Sequence, residues 1–212
     1  MSQAAAAASA VPSENGGQAP VRELGSFPIS SHWTMERLLK LSHPQIIALW
    51  RDLPAATLEE LQGHFTGITP NAGDAERQAR IAGNMYNEDS ERGYWLGKAY
   101  RKTGANEGEG YNRWRRKGGQ IVRNARFTTE VGVSLLDGKP SLLMYYGSYR
   151  PENPTFVDEV RKLDDYVYLG VGSTVGADGK RTPESFVLVG PTDEWIGGAA
   201  GTLVPDFVKP TK

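Results

Sequence analysis

From residue 94 to residue 189 the chain is a series of short β-rich runs separated by turn signals, and this pattern limits its possible folds. Two of the signals, Asp137-Gly138 and Asp178-Gly179, place an Asp-Gly pair between strand-like runs, which is typical of a β-hairpin. No helical pattern intervenes, so the runs predict an antiparallel meander that closes into a barrel or packs as a sandwich. The predicted strands cover residues 94–102, 120–129, 131–136, 141–146, 157–163, 166–171 and 186–189, and residues 63–68 add one more at the front.

The predicted strand over residues 94–102 favours a barrel over a sandwich. Its two alternating faces are each partly apolar and partly polar, one with Tyr94, Leu96, Lys98 and Tyr100 and the other with Trp95, Gly97, Ala99 and Arg101. Mixed faces are expected where one face lines a cavity and the other meets helices or solvent. We therefore predict a mainly β protein built around an antiparallel barrel with an apolar cavity.

The residues before the barrel predict helices and a tail. Apolar residues between 31 and 53 recur at helical spacings, and Pro44 divides this stretch into two helices, capped by Thr34 and Ser42. Thr57 and Glu60 have the spacing of a capping box, which predicts a short turn, and a further helix is predicted over residues 74–86. Residues 1–25 have the composition of a disordered tail; an arm that docks on a partner subunit is the alternative.

The expected organisation therefore has three parts. They are a disordered tail over residues 1–25, a helical segment over residues 26–56 that packs on the barrel, and a barrel domain over residues 57–212. The apolar helices cover either one face of the barrel or a sister subunit, so a homodimer is the alternative to packing within the chain.

The charge balance and the missing cysteines exclude several classes of function. With 24 basic against 25 acidic residues, the net charge of -1 provides no long-range attraction to nucleic acid or to an anionic membrane. No cysteine is present, which excludes disulfides and thiolate metal sites and fits the cytoplasm best. No run reaches the ~20 apolar residues that a membrane-spanning helix needs. We therefore predict a soluble cytoplasmic protein that holds no metal.

Three stretches resemble the motifs of a known family. Residues 61–67 have the pattern L-x-G-x-aromatic-x-G, residues 95–100 have W-x-G-K-x-aromatic, and residues 158–172 have D-x-x-R-K-x-D-D followed by a strand with Leu-Gly. Together they resemble the GXWXG family of small bacterial and plant proteins, which is viewed as lipocalin-like or calycin-like. The chain departs from that family, and from nitrobindins with a similar motif, by having Phe65 where they have Trp. The resemblance implies a lipocalin-like barrel with an apolar cavity and transfers no catalytic residue.

Polar side chains on the predicted strands form a candidate site inside the cavity. A cavity lined with Tyr, Lys, Arg and a carboxylate supports acid–base chemistry without a metal or an organic cofactor, because Lys or Tyr exchanges a proton while Arg holds an anionic oxygen. The predicted acid–base residues are Lys98, Tyr100, Arg126 and Tyr145, with Glu159 and Arg161 as second choices. The predicted substrate-binding residues are Trp95, Tyr111, Trp114, Tyr146 and Tyr168.

These residues leave two functions open. One is a cofactor-independent lyase or isomerase that acts on a small hydrophobic, aromatic or oxygenated molecule; the alternative is a carrier or sensor that binds an apolar ligand without transforming it. Strand alternation also leaves one orientation open, because Arg126 faces solvent if Phe127 faces inward. Glu159 and Arg161 are alternatively explained as an ion pair at the surface or at the barrel end.

Two further features predict less expected functions. His64 lies within the first motif and is the candidate axial ligand if the protein binds haem. No pair of histidines has the spacing of a zinc motif. Residues 104–119 are first Gly-rich and then basic, with two aromatic residues among the cations. This segment is a solvated hairpin turn, a lid over the ligand pocket or, least expected, a nucleic-acid patch.

Overall fold

Nine strands and three helices make up the part of the chain that the structure describes. The computed structural model describes residues 35–147 and 150–197; the predicted tail over residues 1–25 and the predicted cap Thr34 lie outside this part. The helices are α1 (Met35–Leu39), α2 (His43–Asp52) and α3 (Ala75–Met85). The strands are β1 (Gly63–Ile68), β2 (Tyr86–Asn87), β3 (Gly93–Gly104), β4 (Glu107–Arg115), β5 (Ile121–Val133), β6 (Pro140–Tyr145), β7 (Val157–Asp164), β8 (Val167–Val175) and β9 (Arg181–Asp193).

The strands form one closed antiparallel barrel. Each strand from β3 to β8 pairs with the next strand along the chain, and β1 pairs with both β9 and β3, which closes the ring. The two-residue β2 pairs only with the start of β3, so eight strands form the ring itself. A barrel of eight strands has an interior wide enough for side chains or for one small ligand. The predicted antiparallel barrel is confirmed.

The turn signals in the sequence mark true hairpins. At the first Asp-Gly pair, the Ser134 amide donates to the Lys139 carbonyl at 2.9 Å and closes the turn between β5 and β6. Gly138 and Gly179, one in each Asp-Gly turn, have φ angles of 74° and 76°. These angles lie in the left-handed region that favours glycine, which is why the two pairs predict the turns well.

Two parts of the strand prediction are wrong. The Gly-rich segment predicted as a loop over residues 104–119 contains the whole of β4. Its Gly110 lies inside a strand because the ring of Phe127 on β5 occupies the space where a side chain would stand. The separate strands predicted over residues 120–129 and 131–136 are one strand, β5, in which Glu130 continues the pairing with β6, and residues 134–136 form the turn.

A bulge in β3 changes which side chains face the interior. Relative to β4, β3 contains one extra residue between Trp95 and Gly97. Strict alternation places Trp95 opposite Lys98 and Tyr100, whereas the bulge turns all three side chains inward. Gly97 has a φ of 124°, and a Cβ there would overlap the carbonyl oxygen of Phe65. The predicted faces of this strand are therefore wrong at Trp95, and the glycine of the W-x-G-K pattern makes the bulge possible.

Aromatic side chains fill one half of the barrel interior, which we name the packed half. Phe65 meets Tyr100 and Tyr168 edge to face, with ring centroids 5.6 and 5.7 Å apart, and Tyr100 meets Phe127 at 5.3 Å. The segment 56–61 contributes three buried apolar side chains to the same cluster and closes this end. Edge-to-face pairs of this kind add stability beyond the area that they bury. Burial raises the pKa of Tyr168 to about 12, so its hydroxyl is neutral.

The helices α1 and α2 cover the outer face of β8 and β9. Leu38, Ile46 and Trp50 pack there against four outward-facing valine and leucine side chains of the two strands. Ser42 forms the capping box of α2, as its position predicts. The helices therefore occupy the barrel face that the sequence offers either to them or to a sister subunit. No helix in residues 35–147 and 150–197 is long and apolar enough to cross a membrane.

Arg161 fastens the end of α2 to the barrel from the outside. Its guanidinium bonds both carboxylate oxygens of Asp137 at 2.8 and 2.7 Å and donates to the backbone carbonyls of Trp50 and Arg51. The same group lies 3.9 Å above the ring of Trp50. Cations near the carboxyl end of a helix are favourable, and a bidentate pair fixes the orientation of both partners.

We expect this ion pair to make stability depend on acidic pH. The Arg161 guanidinium holds the pKa of Asp137 at about 2, against an ordinary value of 3.8. Because the folded pKa is the lower one, the stabilisation is complete above pH ~4 and is lost as the pH falls towards ~2. In urea titrations over this range, the free energy of unfolding should fall by about 2 kcal/mol more in the native protein than in Asp137→Asn. Parallel pH profiles for the two proteins would contradict this assignment.

The packing of rings over glycines is tested by adding one methyl group. Gly110→Ala pushes a Cβ against both the Phe127 ring and the Ala99 carbonyl oxygen, so we expect a loss of roughly 1–3 kcal/mol in the free energy of unfolding. Gly83→Ala is the matched control, because nothing lies within 4 Å of a Cβ at this position in α3. The free energy of unfolding of this control should rise by about 0.5–1 kcal/mol, because alanine is a better helix former than glycine. Equal effects in urea titrations would show that the ring imposes no constraint.

Candidate functional site

The other half of the barrel interior is a cavity of about 430 Å³. Four aromatic side chains, Trp95, Trp114, Phe156 and Phe186, form part of its walls, and polar and charged side chains form much of the rest. The packed half lies beneath it, and α3 contributes Ile81 and Met85 at the opposite side. The cavity falls within the range of about 300–1,000 Å³ that is typical of small-molecule sites.

A buried ion pair lies at the base of the cavity. Lys98 on β3 and Asp158 on β7 are each 3% exposed, and their charged atoms are 2.8 Å apart. The Lys98 ammonium also donates to the Tyr146 hydroxyl at 2.6 Å and to the Asn112 amide oxygen at 3.0 Å. The Tyr146 hydroxyl in turn donates to Asp158. These four residues, which we name the polar quartet, all line the cavity.

Burial and opposite charge act against each other on Lys98. Burial lowers the pKa of its amine, and the Asp158 carboxylate partly offsets this by favouring the ammonium form. The nitrogen lies 5.2–5.9 Å from the ring centroids of Trp95, Phe127, Tyr146 and Phe186. Ring faces at this distance attract a cation, so the rings replace part of the lost hydration. Burial also raises the pKa of Tyr146 far above its usual value, which keeps its hydroxyl protonated.

Asn112 is fixed by partners on both neighbouring strands. Its amide oxygen accepts from the Trp95 indole at 3.2 Å, and its amide nitrogen donates to the Ala125 carbonyl at 3.1 Å. Ala125 has a φ of 45°, in the left-handed region, and lies where β5 has one residue more than β4. Such strained bulges are common beside functional sites, because they aim a group that regular pairing would not.

Charged residues surround the cavity entrance. Arg150 lies 3.9 Å above the ring of Phe156, and both Arg92 and Arg150 pair with Glu152. On the other side, Arg77 of α3 donates to the Pro183 carbonyl at 2.9 Å and pairs with Glu184 at 3.3 Å. These contacts attach α3 to the start of β9, so the helix covers part of the entrance.

The structure divides the predicted site residues into three groups. Lys98, Trp95, Trp114 and Tyr146 line the cavity. Tyr100 and Tyr168 lie below it in the packed half, where the Tyr100 hydroxyl meets the Met144 sulfur at 3.3 Å. The remaining five predicted residues lie on the outer face of the barrel, because the residues directly before or after them in the same strand point inward. They are Tyr111, Arg126, Tyr145, Glu159 and Arg161.

The outward residues belong to separate structural contacts. Phe127 faces inward, so Arg126 faces outward and pairs with Glu109, which also pairs with Arg101. Glu159 does not pair with Arg161; it accepts a hydrogen bond from the Leu135 amide at 3.0 Å. The predicted acid–base set is therefore not brought together at one place.

His64 lies outside the cavity. Its Nε2 is 2.9 Å from the Tyr111 hydroxyl, and burial together with Arg113 lowers its pKa to about 4. The ring is thus neutral at physiological pH and is engaged in a contact on the outer face. It does not offer a haem ligand to the cavity. In the described part of the chain, no three His, Cys, Asp or Glu side chains are grouped to hold a metal.

The basic segment predicted as a loop is a strand with paired charges. On the outer face of β4, Arg115 pairs with Glu88 at 2.7 Å, and Lys117 beyond the strand pairs with Asp89 at 2.8 Å. Trp114, which directly precedes Arg115, faces the cavity. The alternation of a strand thus separates the cations from the aromatic wall, and no joint stacking surface for nucleic acid results.

Sequence reasoning missed two members of the polar quartet. Asp158 opens the D-x-x-R-K pattern, but its partner Lys98 is 60 positions earlier, and only barrel closure brings them together. Asn112 was hidden in the segment predicted as a loop. A carboxylate on a strand with apolar neighbours on both sides of its face is the signal that could have identified Asp158 as an inward group.

Searches by sequence find no match, neither among protein-family models nor among curated proteins. The GXWXG resemblance is thus not confirmed. Among solved structures, a protein from Thermomonospora curvata is similar, with 19% identity over 70% of this chain and 87% of that chain and a TM-score of 0.47. An odorant-binding protein, OBP1, is 14% identical over 66% of this chain and 77% of its own, with a TM-score of 0.35. A bovine odorant-binding protein complexed with its natural ligand is 14% identical over 63% of this chain and 73% of its own, with a TM-score of 0.34.

The strand pairing itself defines the class of protein. A closed up-and-down barrel of eight antiparallel strands is the lipocalin type of barrel, in which the interior holds side chains or one small ligand. Here one half of the interior is packed with side chains, and the other half is a cavity. The lipocalin-like fold predicted from the sequence is therefore present.

We expect the ion pair of the polar quartet to be strongly coupled. Asp158→Asn leaves the Lys98 ammonium buried without its counter-charge, which should cost roughly 3–5 kcal/mol in the free energy of unfolding. The double variant Lys98→Met/Asp158→Asn should lose less than the two single variants together, measured as a double-mutant cycle in urea. The outward Tyr145→Phe is the control and should change stability by less than about 0.5 kcal/mol. Additive losses would mean that the pair is not coupled.

Proposed function

We propose that the protein is a carrier or sensor that binds one small, mainly apolar molecule in the barrel cavity. The observation that carries this proposal is a cavity of about 430 Å³ with aromatic walls and a polar base. Aromatic walls favour the apolar body of a ligand, and a few fixed polar groups select its orientation.

The lyase or isomerase reaction stays a prediction with less support. Of its six predicted acid–base residues, only Lys98 lines the cavity. In the polar quartet, each donor already has an acceptor: Lys98 bonds three partners and Tyr146 donates to Asp158. A set of mutually satisfied groups is suited to holding a ligand in place, and binding without conversion is therefore the function that we favour.

Location and assembly also stay predictions. The absence of cysteine favours the cytoplasm. A homodimer would need a surface other than the apolar faces of α1 and α2 that pack on the barrel.

Binding in the cavity is tested with a fluorescent apolar probe, 1-aminoanthracene, and with a variant that fills the cavity. Ile81→Trp adds bulk from α3, so we expect the probe to bind at least about tenfold more weakly. Ile121→Trp is the matched control, because Ile121 is 40% exposed on β5 and does not line the cavity. Its affinity for the probe should equal that of the native protein.

The purified native protein and the Ile81→Trp variant also serve to identify the natural ligand. Mass spectra of organic extracts from the native protein should contain a small molecule that is absent from extracts of Ile81→Trp. A probe that binds both tryptophan variants and the native protein equally would overturn the cavity as the binding site.

A further inference from the structure

We propose that the cavity takes apolar aldehydes and holds them by a reversible covalent bond to the Lys98 nitrogen. This inference rests on the proposed binding function and names the chemical class of the ligand. Lys98 carries the only amino group among the described residues that line the cavity. Its nitrogen lies at the base, below the aromatic walls, so an aldehyde that enters with its carbonyl first reaches the nitrogen while its apolar body contacts the rings.

The bond formation is a balanced condensation that needs no other reactant. The Lys98 ammonium passes a proton to Asp158, and the free amine adds to the aldehyde carbon to form a C–N bond. The proton then moves to the former carbonyl oxygen, which leaves as water together with a second hydrogen of the nitrogen. The products are one protonated imine and one water molecule, and the positive charge stays on the Lys98 nitrogen. Lysines desolvated in apolar pockets are the ones activated for this reaction.

The polar quartet loses two hydrogen bonds when the imine forms, those from Lys98 to Asn112 and to Tyr146, and it keeps the others. A protonated imine has one N–H, which suits the Asp158 carboxylate at the present distance of 2.8 Å. Asn112 loses the Lys98 donor but keeps the Trp95 indole as a donor at 3.2 Å. Tyr146 continues to donate to Asp158. The ammonium can therefore give up two hydrogens while every side chain of the quartet keeps at least one hydrogen bond.

The surroundings of the nitrogen also favour the charged product. The imine keeps its cation beside Asp158 and among the four aromatic rings whose centroids are 5.2–5.9 Å away. Burial lowers the pKa of Lys98, which eases the loss of the first proton. An exposed lysine such as Lys117, with a side chain that is 79% exposed, has neither the rings nor a cavity to hold the aldehyde.

The test uses trans-cinnamaldehyde and cyanoborohydride, which reduces the imine to a stable amine. We expect one adduct on the native protein, with a mass gain equal to the aldehyde less one oxygen atom, located at Lys98 by peptide mapping. Labelling of Lys98 should be at least about tenfold faster than labelling of Lys117, because binding holds the reactants together. Without the reductant, the conjugated protonated imine should absorb at longer wavelength than the free aldehyde. The chain has no cysteine to compete for the aldehyde.

Two controls separate attachment from simple binding. Cinnamyl alcohol has nearly the same shape and forms no imine, so it should slow the labelling of Lys98 and leave that of Lys117 unchanged. The variant Lys98→Met/Asp158→Asn removes both charges of the pair, and it should give no absorption shift and no cavity adduct, while its exposed Lys117 is labelled at the native rate.

The outcomes distinguish this inference from the proposed function. If cinnamyl alcohol displaces 1-aminoanthracene but cinnamaldehyde labels only exposed lysines, the covalent bond is overturned and the binding function stands. If the alcohol does not displace the probe and the aldehyde does not label Lys98, both are overturned. Labelling of Lys98 that cinnamyl alcohol does not slow would also overturn the inference, because the aldehyde would then not react from within the cavity.

Discussion

The ion pair between Lys98 and Asp158 determines how the barrel interior is used. Removing two charges from water costs several kcal/mol for each ion, and this cost is met only where good geometry and further hydrogen bonds accompany the pair. Tyr146 and Asn112 supply those bonds, and the pair joins β3 to β7, which are not neighbours in the ring. An interior with this pair at its middle is not packed throughout by apolar side chains. The pair therefore separates an aromatic half that stabilises the fold from a half that contains the cavity.

Local departures from regular strand pairing bring the quartet together. The bulge at Gly97 places Trp95 and Lys98 on the same inward face although they are three residues apart, and the bulge at Ala125 aims a carbonyl at Asn112. Glycines then leave room for the rings, as where Gly67 lies under Trp95 and Gly110 under Phe127. A Cβ at either position would displace a ring, so these glycines are needed for packing and not for flexibility.

The sequence predicts the barrel well because the fold depends on local signals. Asp-Gly turns and alternating runs specify the hairpins, and sequential hairpins of this number specify the meander. The same signals fail at β4, where Gly108 and Gly110 resemble a loop, since the groups that occupy the space of their side chains, such as Thr129 at Gly108 and the Phe127 ring at Gly110, come from another strand. They fail again at Trp95, because one inserted residue reverses the alternation and no propensity marks it.

The candidate site is predicted only in part from the sequence. To predict all of it, one must know for every strand residue whether its side chain faces inward or outward. Lys98, Trp95, Trp114 and Tyr146 are correctly expected in the cavity, since aromatic residues and a lysine on central strands suit a barrel interior. Arg126 and Arg161 have chemistry that suits a site equally well, but each is one strand position away from an inward residue. Residue type alone does not decide between the two faces of a strand.

Two buried ion pairs in this barrel show how surroundings decide what a charge can do. Arg161 is fully buried, and its guanidinium group bonds Asp137 and two carbonyl oxygens of α2. Its charge therefore serves to join a helix to the barrel. Lys98 is 3% exposed, and it lines the cavity. Of the two pairs, only the one at Lys98 borders the cavity. The barrel thus contains one charge that joins a helix to the barrel and another that lies at the base of a cavity, which is why we assign the proposed ligand to the second.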